Sequence, residues 1–94
     1  MIASFSDANT EELFRTGRNR RWDAVARQAL RKLGYLNAAG ALDDLRSPPG
    51  NRLEALAGSR KGQHSIRVND QFRICFHWYA KTGQAHNVEI VDYH

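Results

Sequence analysis

The stretch Ser65-Ile66-Arg67-Val68-Asn69-Asp70-Gln71-Phe72-Arg73-Ile74-Cys75-Phe76-His77-Trp78-Tyr79 decides the architecture. Ile66 and Val68 alternate with Ser65 and Arg67. Phe72, Ile74, Phe76 and Trp78 alternate with Arg73, Cys75, His77 and Tyr79, the period of two that marks a strand with one apolar face. Asn69-Asp70-Gln71 supplies turn residues between the two runs. A slip of one residue would send every side chain to the opposite face, so burial selects the register. A two-residue loop would pair Asn69 with Phe72 and set Arg67 beside Ile74. A three-residue loop pairs Val68 with Phe72, Ile66 with Ile74 and Arg67 with Arg73, and this second register is expected. Arginines directly opposite each other repel. Either an anion sits between them or both are solvated; the sequence leaves the two readings open.

Upstream, Ser47-Pro48-Pro49-Gly50 is a firm stop, after which Arg52-Leu53-Glu54-Ala55-Leu56 already reads with period two. Downstream, Lys81-Thr82-Gly83-Gln84 turns the chain into a last strand, His86 to His94, with Val88 and Ile90 facing the core. The N-terminal half has the other period. Trp22, Val25, Ala26, Ala29, Leu30, Leu33 and Leu36 form one buried helical stripe, leaving Arg27, Gln28, Arg31 and Lys32 on the polar side. A shorter helix precedes it, capped within Ser6-Asp7-Ala8-Asn9, carrying Glu11 and Glu12 in its first turn and ending near Thr16 at Gly17. Met1 to Phe5 reads as a short strand, and Gly40 separates the second helix from a short turn, Ala41 to Arg46. The fold class is α+β, with two N-terminal helices packed on an antiparallel sheet.

Ninety-four residues support one core, so residues 1–94 are expected to form a single domain. The 41% apolar and 26% charged content is that of an ordinary globular protein. No apolar run approaches the roughly 18 residues of a membrane span, and the N-terminus has no signal-peptide pattern. Cys75 is the only cysteine, which excludes an internal disulfide and a thiolate zinc cluster and suits a reducing cytoplasm. His64, His77, His86 and His94 lack the spacing of a zinc site, and no phosphate-cradling glycine motif is present, so no metal or cofactor is expected.

The formal charge is +4, and eleven of the fourteen cationic side chains are arginine, whose planar fork matches phosphate. Arg15, Arg18, Arg20, Arg21, Arg27, Arg31 and Lys32 lie in one segment with a single acid, Asp23. A polyanion is the natural partner; a merely solvated basic face is the competing reading. Metal-free RNA cleavage needs only a base for the ribose 2′-OH, an acid for the leaving oxygen and cations for the phosphoryl charge. Glu54, Tyr93 and His94 are potential proton carriers, and Arg60, Arg67 and Arg73 potential clamps. Simple alternation puts Tyr93 and His94 on opposite faces, so their convergence requires the last residues to leave regular pairing.

Three ordered segments, 48–56, 58–76 and Val88-Glu89-Ile90-Val91-Asp92-Tyr93-His94, resemble the HigB-type toxins, or plasmid-maintenance killer proteins, of the RelE/ParE superfamily. The resemblance spans essentially the whole chain. It implies the compact microbial-ribonuclease-like fold with a curved sheet, and a ribosome-dependent endoribonuclease that cuts messenger RNA in the A site of the 70S ribosome. It also implies a helix-turn-helix antitoxin of the HigA kind as partner. Asp92, Tyr93 and His94 match the family's catalytic tail, and Arg73 its phosphate-contacting arginine. Arg60, Lys61 and Arg67 fall in its basic stretch. Some members carry a catalytic histidine where this sequence has Glu54, a group able to act as a base but unable to bring positive charge. On this reading Tyr93 and His94 share proton transfer, Arg67 and Arg73 hold the scissile phosphate, Asp92 orients a partner and Glu54 takes part. Arg18, Arg20, Arg21, Arg27 and Arg31 then dock RNA. Two alternatives stand beside it: a ParE-like gyrase poison, whose relatives usually lack the tyrosine–histidine tail, and a basic adaptor that binds RNA without cutting it.

Overall fold

The computed structural model describes residues 1–92. Helix α1 (Ala8–Thr16) starts where Asp7, in extended conformation, accepts a hydrogen bond from the Thr10 N–H through Oδ2, satisfying one of the unpaired donors of the first turn. It ends at Gly17, whose φ of 80° is the left-handed conformation that closes helices and that glycine adopts without a Cβ clash. Helix α2 (Ala26–Ala38) is entered through one 3-10 turn, Asp23–Val25, so the stripe beginning at Trp22 is helical only from Ala26. Trp22 is nevertheless core, edge-on to Phe72 with ring centroids 5.2 Å apart.

Strands β1 (Glu54–Ala55), β2 (His64–Arg67), β3 (Phe72–Tyr79) and β4 (Gln84–Asp92) form an antiparallel sheet in chain order. The hairpin takes the register with Ile66 opposite Ile74 and Arg67 opposite Arg73, and the Val68 N–H donates to Phe72 O at 2.9 Å. An irregularity between Cys75 and His77 shifts the β3–β4 register by one residue along β4. The N-terminal segment lies along the other edge of β4 in parallel orientation, through bridges at Ile2–Ala85 and Phe5–Val88. Beyond them the Thr10 hydroxyl accepts the Ile90 N–H at 3.1 Å, so α1 continues the edge where the strand stops.

Alternation divides the sheet cleanly. Ile66, Ile74, Phe76, Val88 and Ile90 meet Leu13, Ala29, Leu33 and Leu36 of the two helices in one buried cluster. Ser65, Arg67, Arg73, Cys75 and Glu89 occupy the opposite face, as their pairing register dictates. Gly83, at φ 65°, turns the chain into β4 so close to Gly40 that a Cβ there would sit 2.8 Å from the Gly40 carbonyl oxygen.

Two expectations are corrected. The strand read over 52–56 is regular only at Glu54–Ala55, with one more backbone bond from Leu56 N–H to Gln63 O at 2.9 Å, because Arg52 is left-handed (φ 46°) and a 3-10 turn, Gly58–Arg60, follows. Lys32, placed on the solvated side of the second helix, is buried with 5% of its surface exposed. Its Nζ donates to Asn51 Oδ1 at 2.7 Å, which offsets the cost of burying the charge. Burial, and then the charges of Arg31 and Arg67, lower Lys32 below the usual lysine value.

Candidate functional site

The face of the sheet away from the helices carries alternating charge. Arg73, on β3, points across β2, and its side chain is only 11% exposed. Its Nε–H donates to Ser65 Oγ at 2.7 Å, and one terminal nitrogen donates to the Arg52 carbonyl at 2.7 Å and to the Ser65 carbonyl at 3.3 Å. Glu54 Oε1 lies 3.6 Å from Nε. The guanidinium is thus fixed by neighbours on β1, β2 and the loop before β1. A cation so held keeps its orientation when a phosphate arrives, which is what electrostatic preorganisation requires.

Arg67 lies directly opposite Arg73 and pairs with Asp70 of the hairpin turn, whose side chain is fully exposed. Asp70 on one side and Glu54 on the other ease the repulsion between the facing arginines. Further along the face, Arg60 donates to Glu89 Oε1 at 3.0 Å and to Gln63 Oε1 at 3.1 Å. Cys75 is fully buried between these pairs, and burial raises its thiol above the usual value, with opposing contributions from the arginines and carboxylates around it. This is the environment of a sheet residue rather than of an activated nucleophile.

Asp92 closes the described part of β4, paired opposite Phe72, and accepts a hydrogen bond from Gln71 Nε2 at 3.1 Å. The expectations for Tyr93 and His94 lie outside the described residues. Glu54, Arg67, Arg73 and Arg60 share one face, whereas Arg27 and Arg31 are exposed on α2, which packs against the other. The arginines singled out in the sequence are thus distributed over two sides of the sheet. Arg18, Arg20 and Arg21 are exposed in the segment between the helices, with Arg21 stacked 4.8 Å above the Trp22 ring, and Lys61 is exposed beside Arg60. Among the described residues none of Arg18, Arg20, Arg21, Arg27, Arg31 and Lys61 forms an ion pair with a carboxylate. No group of three or more His, Cys, Asp and Glu side chains among them is arranged to hold a metal ion.

Sequence reading passed over three contributors: Ser65, the Arg52 carbonyl and Glu89. Ser65 alone gave a signal, as the polar residue on the arginine side of β2.

A family model described as a RelE-like toxin of the type II toxin–antitoxin system HigB matches residues 3–94. The chain belongs to the HigB-like toxin family. This HigB-like chain is 42% identical over 80 residues to Toxin HigB-1 of Vibrio cholerae serotype O1, a match covering 83% of it and 84% of that protein. An uncharacterized protein of Haemophilus influenzae is 46% identical over 46 residues, covering 49% of this chain and 46% of its own. Among solved structures, the heterotetrameric YoeB–YefM toxin–antitoxin complex of Staphylococcus aureus matches with a TM-score of 0.57 at 13% identity, over 100% of this chain and 98% of the other. A second structure of the YoeB–YefM complex gives 0.53 at the same identity. At that identity the likeness establishes the fold, two helices on a four-stranded antiparallel sheet. The HigB-like chain is accordingly a type II toxin of the RelE superfamily. None of these findings favours the ParE-like alternative.

Proposed function

We propose that residues 1–94 act as one toxin domain that cleaves messenger RNA in the A site of the 70S ribosome, without a metal, and that a helix-turn-helix antitoxin of the HigA kind neutralises it. The observation that carries the reading is Arg73, held by Ser65, the Arg52 carbonyl and Glu54 on an otherwise open sheet face, with Arg67 directly opposite. Two guanidinium groups on adjacent strands suit the two non-bridging oxygens of a phosphodiester. The attacking group is the ribose 2′-OH itself. Its oxygen bonds to phosphorus as the 5′-oxygen leaves, one group taking the 2′-proton and another giving a proton to the 5′-oxygen. The products are a 2′,3′-cyclic phosphate and a 5′-hydroxyl.

Arg67 and Arg73 stabilise the charge that accumulates on the phosphoryl oxygens. Tyr93 and His94, which follow Asp92 at the end of β4, share the proton transfers; Asp92 orients one of them and Glu54 is the further base. Arg60 and Lys61 extend the RNA path along the face, while Arg18, Arg20, Arg21, Arg27 and Arg31 hold ribosomal RNA at a distance from the cut. The site of action is then the cytoplasm. Among the described residues no helix is long and apolar enough to cross a membrane.

Primer extension on messenger from cells expressing the protein tests the reading. Cleavage sites in translated messenger, ending in 5′-hydroxyl, are expected. Arg73→Ala should lower the cleavage rate by about a hundredfold, and removal of His94 should do so to a similar degree. Growth arrest without any messenger cleavage would point to another target, and full cleavage by the His94-truncated protein would remove that residue from the mechanism.

A further inference from the structure

Behind the open face, a buried polar chain leads from helix α2 to the Arg73 guanidinium. Lys32 Nζ donates to Asn51 Oδ1 at 2.7 Å, and Asn51 has no exposed surface. The Asn51 amide nitrogen in turn donates to the Leu45 carbonyl at 3.2 Å and the Ser47 carbonyl at 3.3 Å, while its backbone N–H donates to Pro48 O at 2.9 Å. One side chain therefore ties together both ends of the loop between the helical half and β1. The next residue, Arg52, is left-handed at φ 46° and ψ 55°, a conformation costly for a side chain with a Cβ and kept only where its surroundings impose it. That conformation aims the Arg52 carbonyl at Arg73, 2.7 Å away.

A lysine buried on an otherwise apolar helical stripe is costly, and its hydrogen bond to the buried Asn51 Oδ1 offsets that cost. The same bond holds Asn51, which in turn anchors the loop that carries Arg52. We infer that Lys32 and Asn51 are positioning residues, which lock the Arg52 carbonyl in place and so fix the orientation of Arg73 for the scissile phosphate. The inference rests on the proposed role of Arg73.

A double-mutant cycle tests it, with single-turnover cleavage on saturating programmed ribosomes measured below the melting temperature of every variant. Lys32→Met should slow cleavage by about tenfold, the scale of a slight misplacement of a reacting group, with little change in apparent Kd for the ribosome. Lys32→Arg, which keeps a donor and the charge, should restore most of the rate. In an Arg73→Ala background Lys32→Met should cost nothing further, since the two act as one unit. A loss of the same size in both backgrounds would show that Lys32 supports the fold alone and would overturn the inference. So would unchanged cleavage by Lys32→Met beside a crippled Arg73→Ala. If Arg73→Ala itself cleaves normally, the proposed role of Arg73 fails, a separate result. Should Lys32→Met not fold, Lys32→Gln takes its place, and the NMR resonance of the Arg73 Nε–H reports the orientation without catalysis. It should move when Lys32 is replaced; a resonance that stays fixed sinks the brace.

Discussion

His64 shows how a single side chain on the sheet couples to pH. It lies on β2, its ring stacked on Phe76 with centroids 6.4 Å apart, and its Nδ1 is buried with no hydrogen-bond partner among the described residues. Burial first, and then the positive charge of Arg46, lower its pKa below the ordinary 6.5. Between the lowered folded value and 6.5 the unfolded chain binds more protons than the folded one, so stability rises with pH across that window. Going down in pH, the loss begins near 6.5 and is complete once pH falls below the folded value. His64→Gln, which keeps a polar side chain that does not titrate, should flatten the pH dependence of the urea midpoint in that window; an unchanged slope would assign it to other groups. At this scale the sequence was legible where pattern and chemistry agree, as at Trp22, and misleading where they conflict. Lys32 stands three residues after Ala29 and four before Leu36, within the buried stripe, but its charge argued for solvent. The group that resolves the conflict is Asn51, 19 residues away, and no local pattern announces it.

Secondary elements were legible wherever their ends are set by local chemistry. Asp7 and Gly17 bound α1 because a carboxylate can cap the first turn and a glycine can turn left-handed after the last. Asp7→Ala should therefore destabilise the protein by about 1 kcal/mol, and Gly17→Ala by about the same amount, both read from urea unfolding. If the Asp7 variant lost nothing, the cap would be redundant with packing of α1. The hairpin register was legible for a different reason: only one alignment keeps Ile66 with Ile74. The extent of β1 was hidden, because the left-handed Arg52 and the turn at Gly58 are conformations that Leu53 to Leu56 do not encode. The one-residue irregularity between Cys75 and His77 was hidden too, since it depends on how β4 meets β3.

For the whole molecule, charge matters more by placement than by total. Arg27 and Arg31 are exposed on α2, across the sheet from Arg73, so the proposed reading assigns them to capture of a polyanion rather than to the chemistry. Reversing both to glutamate should weaken ribosome binding and reduce the slope of log K against log salt by about 1.5, from two lost phosphate contacts, while single-turnover cleavage at saturation stays near normal. An unchanged salt slope would mean that α2 does not touch RNA. Lys32, at the middle of α2, feels the charge of both Arg31 and Arg67.

The parallel bridges from Ile2 and Phe5 to Ala85 and Val88 join the earliest and latest parts of the chain, and the Thr10 contact to Ile90 repeats that span. Contacts so distant in sequence slow folding, because the closure entropy of nearly the whole chain is lost before they form. During synthesis the segment flanking α1 has no strand to lie against until β4 leaves the exit tunnel. The toxin therefore cannot complete its fold until β4 is available to the N-terminal segment.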